Sequence, residues 1–261
     1  MVAIAYRSAN ARYFMSITMS TINEVSSILE EMNVKECTRA GCLVVIIGLI
    51  PDGNRRYAKK YGIPRIEGFR KGAETLRKFL DFCSKKDVST IIVYALSESN
   101  LRRSRDELEE LFTVYQEEFR KYLNPDAHRK QVRFQFYSTQ PDALPASLKE
   151  VMNQLTEATK AYTKYCIKVL MAWSAQHEFL NACLKADRKS TPLKIESLLM
   201  VKEKPDLIVR TGHYQRLSDF LSVQAQYSEL YFIKKLFPEC TEEDWEASLT
   251  WFHIQRRKFG R

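Results

Sequence analysis

Polar and charged residues follow the apolar run of residues 42–51. Their types suit binding of phosphate and a metal ion. Asp52 and Gly53 come directly after the run, and nine Lys or Arg lie between positions 55 and 78. Gly53 allows a ligand to approach the backbone, and the amides opening a following helix bind anions. Arg56 can add charge-assisted bonds to phosphate, and a lone aspartate suits Mg²⁺ bound together with substrate phosphates. A simple tight turn is the alternative interpretation.

A second polar cluster follows the next apolar run, which covers residues 90–96. It contains Ser97, Asn100 and Arg103. Taken alone, this pattern is typical of a helix cap followed by a solvated charge run.

A third cluster begins at the end of the run of residues 206–212 and contains Arg210, Arg216 and Ser218. Two arginines and a serine at this spacing can clamp one diphosphate through bidentate bonds, although a basic loop is often only solvated. Glu229 begins a further strand and is either a second metal carboxylate or an ordinary exposed residue. Two phosphate clamps, two candidate metal carboxylates and no nucleophile–base dyad predict a reaction in which diphosphate leaves. In such a reaction the protein positions charges rather than forming covalent bonds.

Composition limits the classes of protein that remain. The chain of 261 residues has 45% hydrophobic and 28% charged residues, as an ordinary globular protein does. Its longest apolar run is too short to span a bilayer, and the first forty residues lack a secretory signal pattern. Six cysteines without a CxxC pair favour a reduced, cytoplasmic setting. The net charge of +9 permits nucleic acid, an anionic membrane or phosphorylated substrates as partners, but no nucleic-acid-binding motif accompanies it.

Strand-like and helix-like patterns alternate along the chain. Near-continuous apolar runs predict strands at residues 43–50, 90–96, 132–138, 166–173, 206–212 and 229–237. Helical patterns cover residues 73–86, 104–123, 145–162, 178–187, 192–202 and 241–259. This alternation predicts a single α/β domain at residues 41–261, with a mostly parallel six-stranded sheet flanked by helices. Residues 1–40 are predicted to be an N-terminal extension with an amphipathic helix at 21–32.

The sequence resembles the cis-prenyltransferases, the undecaprenyl diphosphate synthase family, from about residue 43 to its end. The resemblance is carried by PDGNRRYAKKYGIPRIEGFRKGAETLR (51–77), VYALSESNLRRSRDELEELF (93–112) and PDLIVRTGHYQRLSDFLSVQAQYSELYF (205–232). It implies a dimeric α/β fold, here a homodimer, with a hydrophobic tunnel between the sheet and two helices. It also implies Mg²⁺-dependent condensation of an allylic diphosphate with isopentenyl diphosphate, usually forming a Z double bond. The lipid product implies peripheral membrane association.

The resemblance assigns roles by position. Asp52 and Glu229 would hold Mg²⁺, and Asp52, Asn54, Ser97 and Asn100 would be catalytic. The residues for the allylic diphosphate would be Gly53, Asn54, Arg55, Arg56 and Arg65. Those for the second diphosphate would be Arg103, Arg210, Arg216 and Ser218.

Several positions depart from the family pattern, and they cluster at the expected site. The departures are Phe69 for a histidine, Ser99 and Leu101 for glutamate and tryptophan, Tyr214 for a glutamate, and Asp219 for an asparagine. The stretches at residues 172–176 and 258–260 also differ. An active enzyme with an altered acceptor site is favoured. The alternatives are irregular, non-head-to-tail condensation or an unusual acceptor, and a weakly active subunit that needs a partner.

Overall fold

The computed structural model describes residues 45–124, 131–186 and 191–255. Within them the strands are β1 (Ile46–Ile50), β2 (Thr90–Tyr94), β3 (Val132–Tyr137), β4 (Tyr165–Leu170), β5 (Leu207–Arg210) and β6 (Glu229–Phe232). The α-helices are α1 (Asn54–Tyr61), α2 (Arg65–Lys85), α3 (Arg105–Lys121), α4 (Ala146–Thr159), α5 (Ala175–Lys185), α6 (Pro192–Ser197) and α7 (Glu242–His253). The predicted N-terminal extension lies outside the described residues.

All six strands belong to one parallel sheet in the order β3-β4-β2-β1-β5-β6. The predicted six-stranded α/β architecture is therefore confirmed. In the register of the sheet, Ile50 of β1 pairs with Arg210 of β5, which pairs with Phe232 of β6. The carboxyl ends of these strands consequently share one edge.

Burial along each strand follows its place in the sheet. Every residue of β5 is buried, and in β1 and β2 only the first residue is partly exposed. The edge strands β3 and β6 are mostly half-buried. Near-continuous apolar runs therefore mark the strands that helices or loops cover on both faces.

Alternate residues of the central strands face two separate apolar clusters. In β2, Ile91 and Val93 join the larger cluster, whereas Ile92 and Tyr94 join the smaller one. Helices α2, α3, α4 and α7 supply the larger cluster. The smaller cluster contains Trp173 and residues of the segment that follows β5. The sheet therefore has a thick helical layer on one face.

The predicted strands were too long at their carboxyl ends. Residues 95–96, 171–173 and 211–212 leave the sheet and enter loops, and β6 ends at Phe232 rather than at position 237. The reason is that most of these residues are buried, and burial alone does not distinguish a loop from a strand. Leu96 and Met171, for example, are fully buried outside any strand.

No helix among the described residues is long and apolar enough to cross a membrane.

The buried cysteines give a test of the packing. Cys83 is fully buried in α2 and Cys240 is 6% exposed. Burial raises the pKa of the Cys83 thiol far above its usual value and that of Cys240 to about 12. Because the thiolate is the reactive form, we expect iodoacetamide at pH 8 to spare both thiols until denaturant is added, while the partly exposed Cys183 reacts. Peptide mass spectrometry measures this, and rapid labelling of Cys83 in native protein would contradict the fold.

Candidate active site

A cleft of about 610 Å³ lies at the carboxyl edge of the sheet, beyond β1, β2 and β5. Six cationic side chains line it, with one carboxylate among the described residues. The cations are Arg55, Arg56, Lys59, Arg103, Arg210 and Arg216, and the carboxylate is that of Asp52. The predicted residues Gly53, Asn54, Ser97, Asn100 and Ser218 also line the cleft. Such a surface suits a ligand with several negative charges.

Asp52 joins the ends of β1 and β5. Its Oδ1 accepts a hydrogen bond from Arg56 Nη2 at 3.0 Å, and its Oδ2 accepts from Arg210 Nη2 at 2.8 Å. Its main-chain carbonyl accepts bonds from the Thr211 hydroxyl at 2.7 Å and the Phe237 amide at 3.1 Å. The Asp52 side chain is 30% exposed, but that of Arg210 is only 5% exposed. The carboxylate therefore orients two arginines and remains accessible from the cleft.

The start of α1 presents unpaired polar groups to the cleft. Gly53, which precedes the helix, has a φ of 129°, and a Cβ there would lie 2.9 Å from Leu236 Cα. Glycine is thus required, and α1 begins without a side-chain cap. Asn54 Oδ1 is buried and has no hydrogen-bond partner among the described residues. An anionic ligand group at this helix start would accept hydrogen bonds from the uncapped amides.

The loop after β5 is wound around Arg210. Arg210 Nη1 donates to the carbonyl of Arg216 and to Ser218 Oγ, the latter at 2.8 Å. Gly212 has a φ of 84°, and its carbonyl accepts a bond from Arg56 Nη1 at 2.7 Å. Ser218 and three other non-glycine residues of the loop also have positive φ; these are His213, Asp219 and Leu221. Strained backbone of this kind persists only where surrounding contacts hold it, and it is frequent at functional sites.

The loop after β2 forms a 3₁₀-helix at Glu98–Arg102. Ser97 Oγ accepts a bond from the Asn100 amide at 3.2 Å, and Asn100 Oδ1 accepts from the Ser97 amide at 3.4 Å. The cap that the sequence suggested is therefore present. Both side chains nevertheless line the cleft, so capping and ligand binding are compatible here.

Glu107, which was not among the predicted site residues, lies beside the arginines of the cleft. Its carboxylate lies 3.4 Å from Arg55, 3.2 Å from Arg103 and 3.8 Å from Arg65, and its side chain is 9% exposed. Burial lowers the pKa of Arg103, and the neighbouring Arg55 lowers it further. In the sequence, the spacing of Ser104 and Glu107 is that of a helix cap at the start of α3. This pattern does not reveal that the glutamate side chain pairs with arginines. Glu107 thus positions two of the cations that line the cleft.

Arg65 lies outside the cleft lining. Its Nε donates to Glu110 at 2.7 Å, and this bond raises its pKa. Because Glu110 belongs to α3, the pairing depends on how α2 and α3 pack, which the sequence does not show.

Glu229 is not brought to Asp52 within one chain. It is the first residue of β6 and pairs with Leu207, which in turn pairs with Ile47 of β1. That level lies three residues, or roughly 10 Å, before the end of β1 at Ile50, and Asp52 lies two residues beyond that end; the two intervening strand spacings add to this separation. The prediction that Glu229 begins a strand was correct, but in a parallel sheet that position lies on the edge away from the cleft. A shared metal site is therefore not formed by these two carboxylates in a single copy.

The departures from the family pattern occupy different places. Phe69 is buried and lines both the cleft and an adjoining channel. Ser99 lines the cleft, whereas Leu101 packs against the larger apolar cluster. Glu98 does not replace the missing glutamate, because its Oε1 accepts a bond from Thr139 at 2.5 Å and contacts His177 Nδ1 at 2.7 Å.

The segment of residues 172–176 contributes packing and capping rather than cleft lining. Trp173 is fully buried, and Ser174 caps α5. Ser174 Oγ also donates to Asp219 at 2.7 Å, which ties this segment to the loop after β5. The departure at residues 258–260 lies outside the described residues.

An apolar channel continues from the cleft between the sheet, α2 and α3. Its cavity of about 100 Å³ shares Asn54, Phe69 and Tyr115 with the cleft wall. The apolar faces of α2 and α3 line it, as the hydrophobic stripes of these helices predicted. A second cavity of about 260 Å³ lies farther along. The residues that line both cavities are Arg77, Leu80, Tyr122 and Ile167.

The described residues contain no cluster of three or more side chains suited to hold a metal. Asp52 is the one carboxylate in the described lining of the cleft. A carboxylate has about four lone-pair positions, so Asp52 can accept two arginine bonds and still face a cation. The donor set therefore fits a Mg²⁺ ion held by Asp52 together with substrate phosphate oxygens.

Comparison with known proteins gives the family. The family model described as "Putative undecaprenyl diphosphate synthase" matches residues 50–260. The chain therefore belongs to the cis-prenyltransferase family. It is 35% identical over 228 residues to a tritrans,polycis-undecaprenyl-diphosphate synthase (geranylgeranyl-diphosphate specific) of Pyrobaculum aerophilum, covering 82% of this chain and 95% of that protein. A Methanopyrus kandleri protein of the same description is 30% identical, covering 96% of this chain and 95% of the relative.

Solved structures agree with the fold. Lavandulyl diphosphate synthase from Lavandula x intermedia, in complex with dimethylallyl diphosphate, superposes with a TM-score of 0.78 at 25% identity. The match covers 83% of this chain and 98% of that one. A protein of Campylobacter jejuni described as a probable undecaprenyl diphosphate synthase has a TM-score of 0.72 at 23% identity, covering 84% and 100% of the two chains.

The bridging role of Asp52 gives a stability prediction. Asp52→Ala leaves the buried Arg210 guanidinium without its carboxylate, and we expect the free energy of unfolding to fall by about 1–3 kcal/mol. Asp52→Asn should lose less, because the amide oxygen still accepts one bond. The control is Glu109→Ala, which breaks an exposed pair with Arg105 and should leave the free energy of unfolding nearly unchanged. Urea denaturation measures all three, and equal losses for Asp52→Ala and Glu109→Ala would refute the bridge.

Proposed function

We propose that this chain condenses an allylic prenyl diphosphate with isopentenyl diphosphate and releases diphosphate. The observation that carries the proposal is the junction of two unlike environments. A cleft with six cations and one carboxylate adjoins an apolar channel, and Asn54 and Phe69 line both. A prenyl diphosphate has the same two parts, because a charged head is joined to a hydrocarbon tail.

The residues at the start of α1 would bind the leaving diphosphate. The uncapped amides of α1, the Asn54 side chain and Arg56 all lie on the cleft wall, beside the channel mouth. Arg55 joins them, held by Glu107. These groups would stabilise the charge that develops when the allylic C–O bond breaks and its electron pair leaves with diphosphate.

The loops after β2 and β5 would bind isopentenyl diphosphate. Ser97, Asn100 and Arg103 line the cleft on one side, and Arg216 and Ser218 line the other. Arg210 would act mainly by orienting Asp52 and the loop, since its guanidinium is almost fully buried. The new C–C bond then forms between the two substrates, and the isopentenyl unit loses a proton.

Mg²⁺ would be held by Asp52 and the substrate phosphates, and it would neutralise negative charge on the diphosphate. We infer from the named relatives that geranylgeranyl diphosphate is an allylic substrate of this chain. A homodimer, a cytoplasmic location and peripheral membrane association through the lipid product remain predictions. No nucleic acid is required as a partner.

Product analysis tests the reaction. The purified chain with Mg²⁺ is incubated with dimethylallyl, geranyl, farnesyl or geranylgeranyl diphosphate, each with and without isopentenyl diphosphate. We expect longer, Z-linked chains that require isopentenyl diphosphate, with geranylgeranyl diphosphate used best, identified by mass spectrometry and NMR. Branched products from allylic diphosphates alone would instead establish irregular condensation. Absence of product in every mixture would point to a subunit that needs a partner.

The shared wall between the two cavities predicts a change in product length. Tyr122 lines both cavities, so Tyr122→Val would join them and should lengthen the products by one or more isoprene units. Mass spectrometry of the products measures the length. Tyr61→Val is the control, because that tyrosine is 53% exposed and does not line either cavity. An unchanged length distribution in the Tyr122 variant would exclude Tyr122 as the partition.

A further inference from the structure

Three arginines of the cleft converge on the ring of Tyr214. The Cζ atom of Arg216 lies 4.1 Å from the ring centroid, that of Arg56 4.7 Å and that of Arg210 5.8 Å. In the described part of the chain, each of the other four cation–ring contacts joins one lysine to one ring. The Tyr214 ring lines the cleft and is 42% exposed. This tyrosine is therefore a contact shared by three cations.

The arginines around Tyr214 carry more positive charge than their neighbours neutralise. Arg56 and Arg210 share the single carboxylate of Asp52. Arg216 has no ion-pair partner among the described residues and rests on the ring. Three guanidinium groups and one carboxylate leave two positive charges in excess. Because like charges repel, the arrangement is most favourable when an anion lies beside it.

An aromatic ring holds guanidinium groups in a way that a carboxylate does not. The face of the ring attracts a cation through its quadrupole without accepting its in-plane N–H bonds. Arg216, which contacts the ring, therefore keeps its donors for a bidentate bond to phosphate, and Arg56 keeps the N–H groups that do not bind Asp52 and Gly212. A glutamate at position 214, which the family resemblance implies, would occupy those donors and cancel one charge. Tyrosine maintains both the position and the charge of the arginines.

We propose that Tyr214 is a positioning residue that holds Arg56 and Arg216 in place for the diphosphate groups that these two arginines bind and sets the affinity for them. The ring face acts rather than the hydroxyl, because the three guanidinium groups lie over the Tyr214 ring. The inference rests on the proposed function only in taking the diphosphate of a prenyl substrate as the natural anion.

Binding of inorganic diphosphate and of isopentenyl diphosphate tests the role directly. Isothermal titration calorimetry of the full chain, with Mg²⁺, compares wild type with three variants at position 214. We expect Tyr214→Phe to bind within twofold of wild type, Tyr214→Leu to bind roughly five- to tenfold more weakly, and Tyr214→Glu more weakly than Tyr214→Leu. Arg216→Ala serves as the reference for loss of one arginine.

A control variant distinguishes the loss of the Tyr214 ring from the loss of any exposed tyrosine. Tyr61 is also exposed and has Lys60 5.2 Å from its ring, but it does not line the cleft. Tyr61→Leu should therefore leave diphosphate binding unchanged. In steady-state assays, Tyr214→Leu should raise KM for isopentenyl diphosphate by a larger factor than it lowers kcat, because Arg216 rests on the ring alone whereas Arg56 is also held by Asp52 and Gly212.

The outcomes distinguish this inference from the proposed function. Tyr214 has no positioning role if Tyr214→Leu binds diphosphate as wild type does. The same conclusion follows if the affinity of Tyr214→Leu falls only as far as a lower unfolding midpoint explains. Both conclusions hold regardless of which product the enzyme forms. If Tyr214→Phe loses affinity as Tyr214→Leu does, the hydroxyl acts rather than the ring, and the proposal is wrong. A third outcome is that wild type forms no prenyl product, while the diphosphate affinities of wild type and the three Tyr214 variants fall in the expected order. In that case the role of Tyr214 stands and the assigned reaction does not.

Discussion

The two hydrogen bonds from Arg56 and Arg210 to the Asp52 carboxylate are the constraint on which the site depends. They join the start of α1 to the loop after β5, and each arginine then holds a further part of that loop. Arg56 donates to the carbonyl of Gly212, and Arg210 donates to Ser218 and to a main-chain carbonyl. A buried arginine without a carboxylate would be costly, so the bridge keeps the cationic wall compatible with a folded protein.

Each carboxylate at the site is shared by more than one arginine rather than paired with a single one. Glu107 and Asp52 each serve more than one arginine, and Tyr214 supports the remaining one without neutralising it. The cleft therefore keeps an excess of positive charge although its arginines are held in defined positions. Preorganised charge of this kind favours departure of an anionic group, because little reorganisation is needed during the reaction.

The sequence predicted the fold and most of the polar residues that line the cleft, because both follow from local patterns. Buried strands appear as apolar runs, and in a parallel sheet the polar residues that follow them meet at one edge. The strand of Glu229 was identified correctly, but its direction places this residue away from the cleft of its own chain, so its role as a metal ligand stays a prediction. Arg65 and Glu107 depend on the packing of α2 against α3, for which no local pattern exists. The role of Tyr214 likewise requires three arginines from distant positions to meet in space.

The bridge between Asp52 and Arg210 joins residues 158 positions apart. During synthesis, β1 and β2 emerge long before β5, which must still pair with the free edge of β1. Until then that edge offers unpaired main-chain groups to other chains, and the cationic wall is incomplete. A nascent or truncated chain that contains β1 but ends before β5 therefore lacks part of the cleft wall and leaves one edge of β1 unpaired.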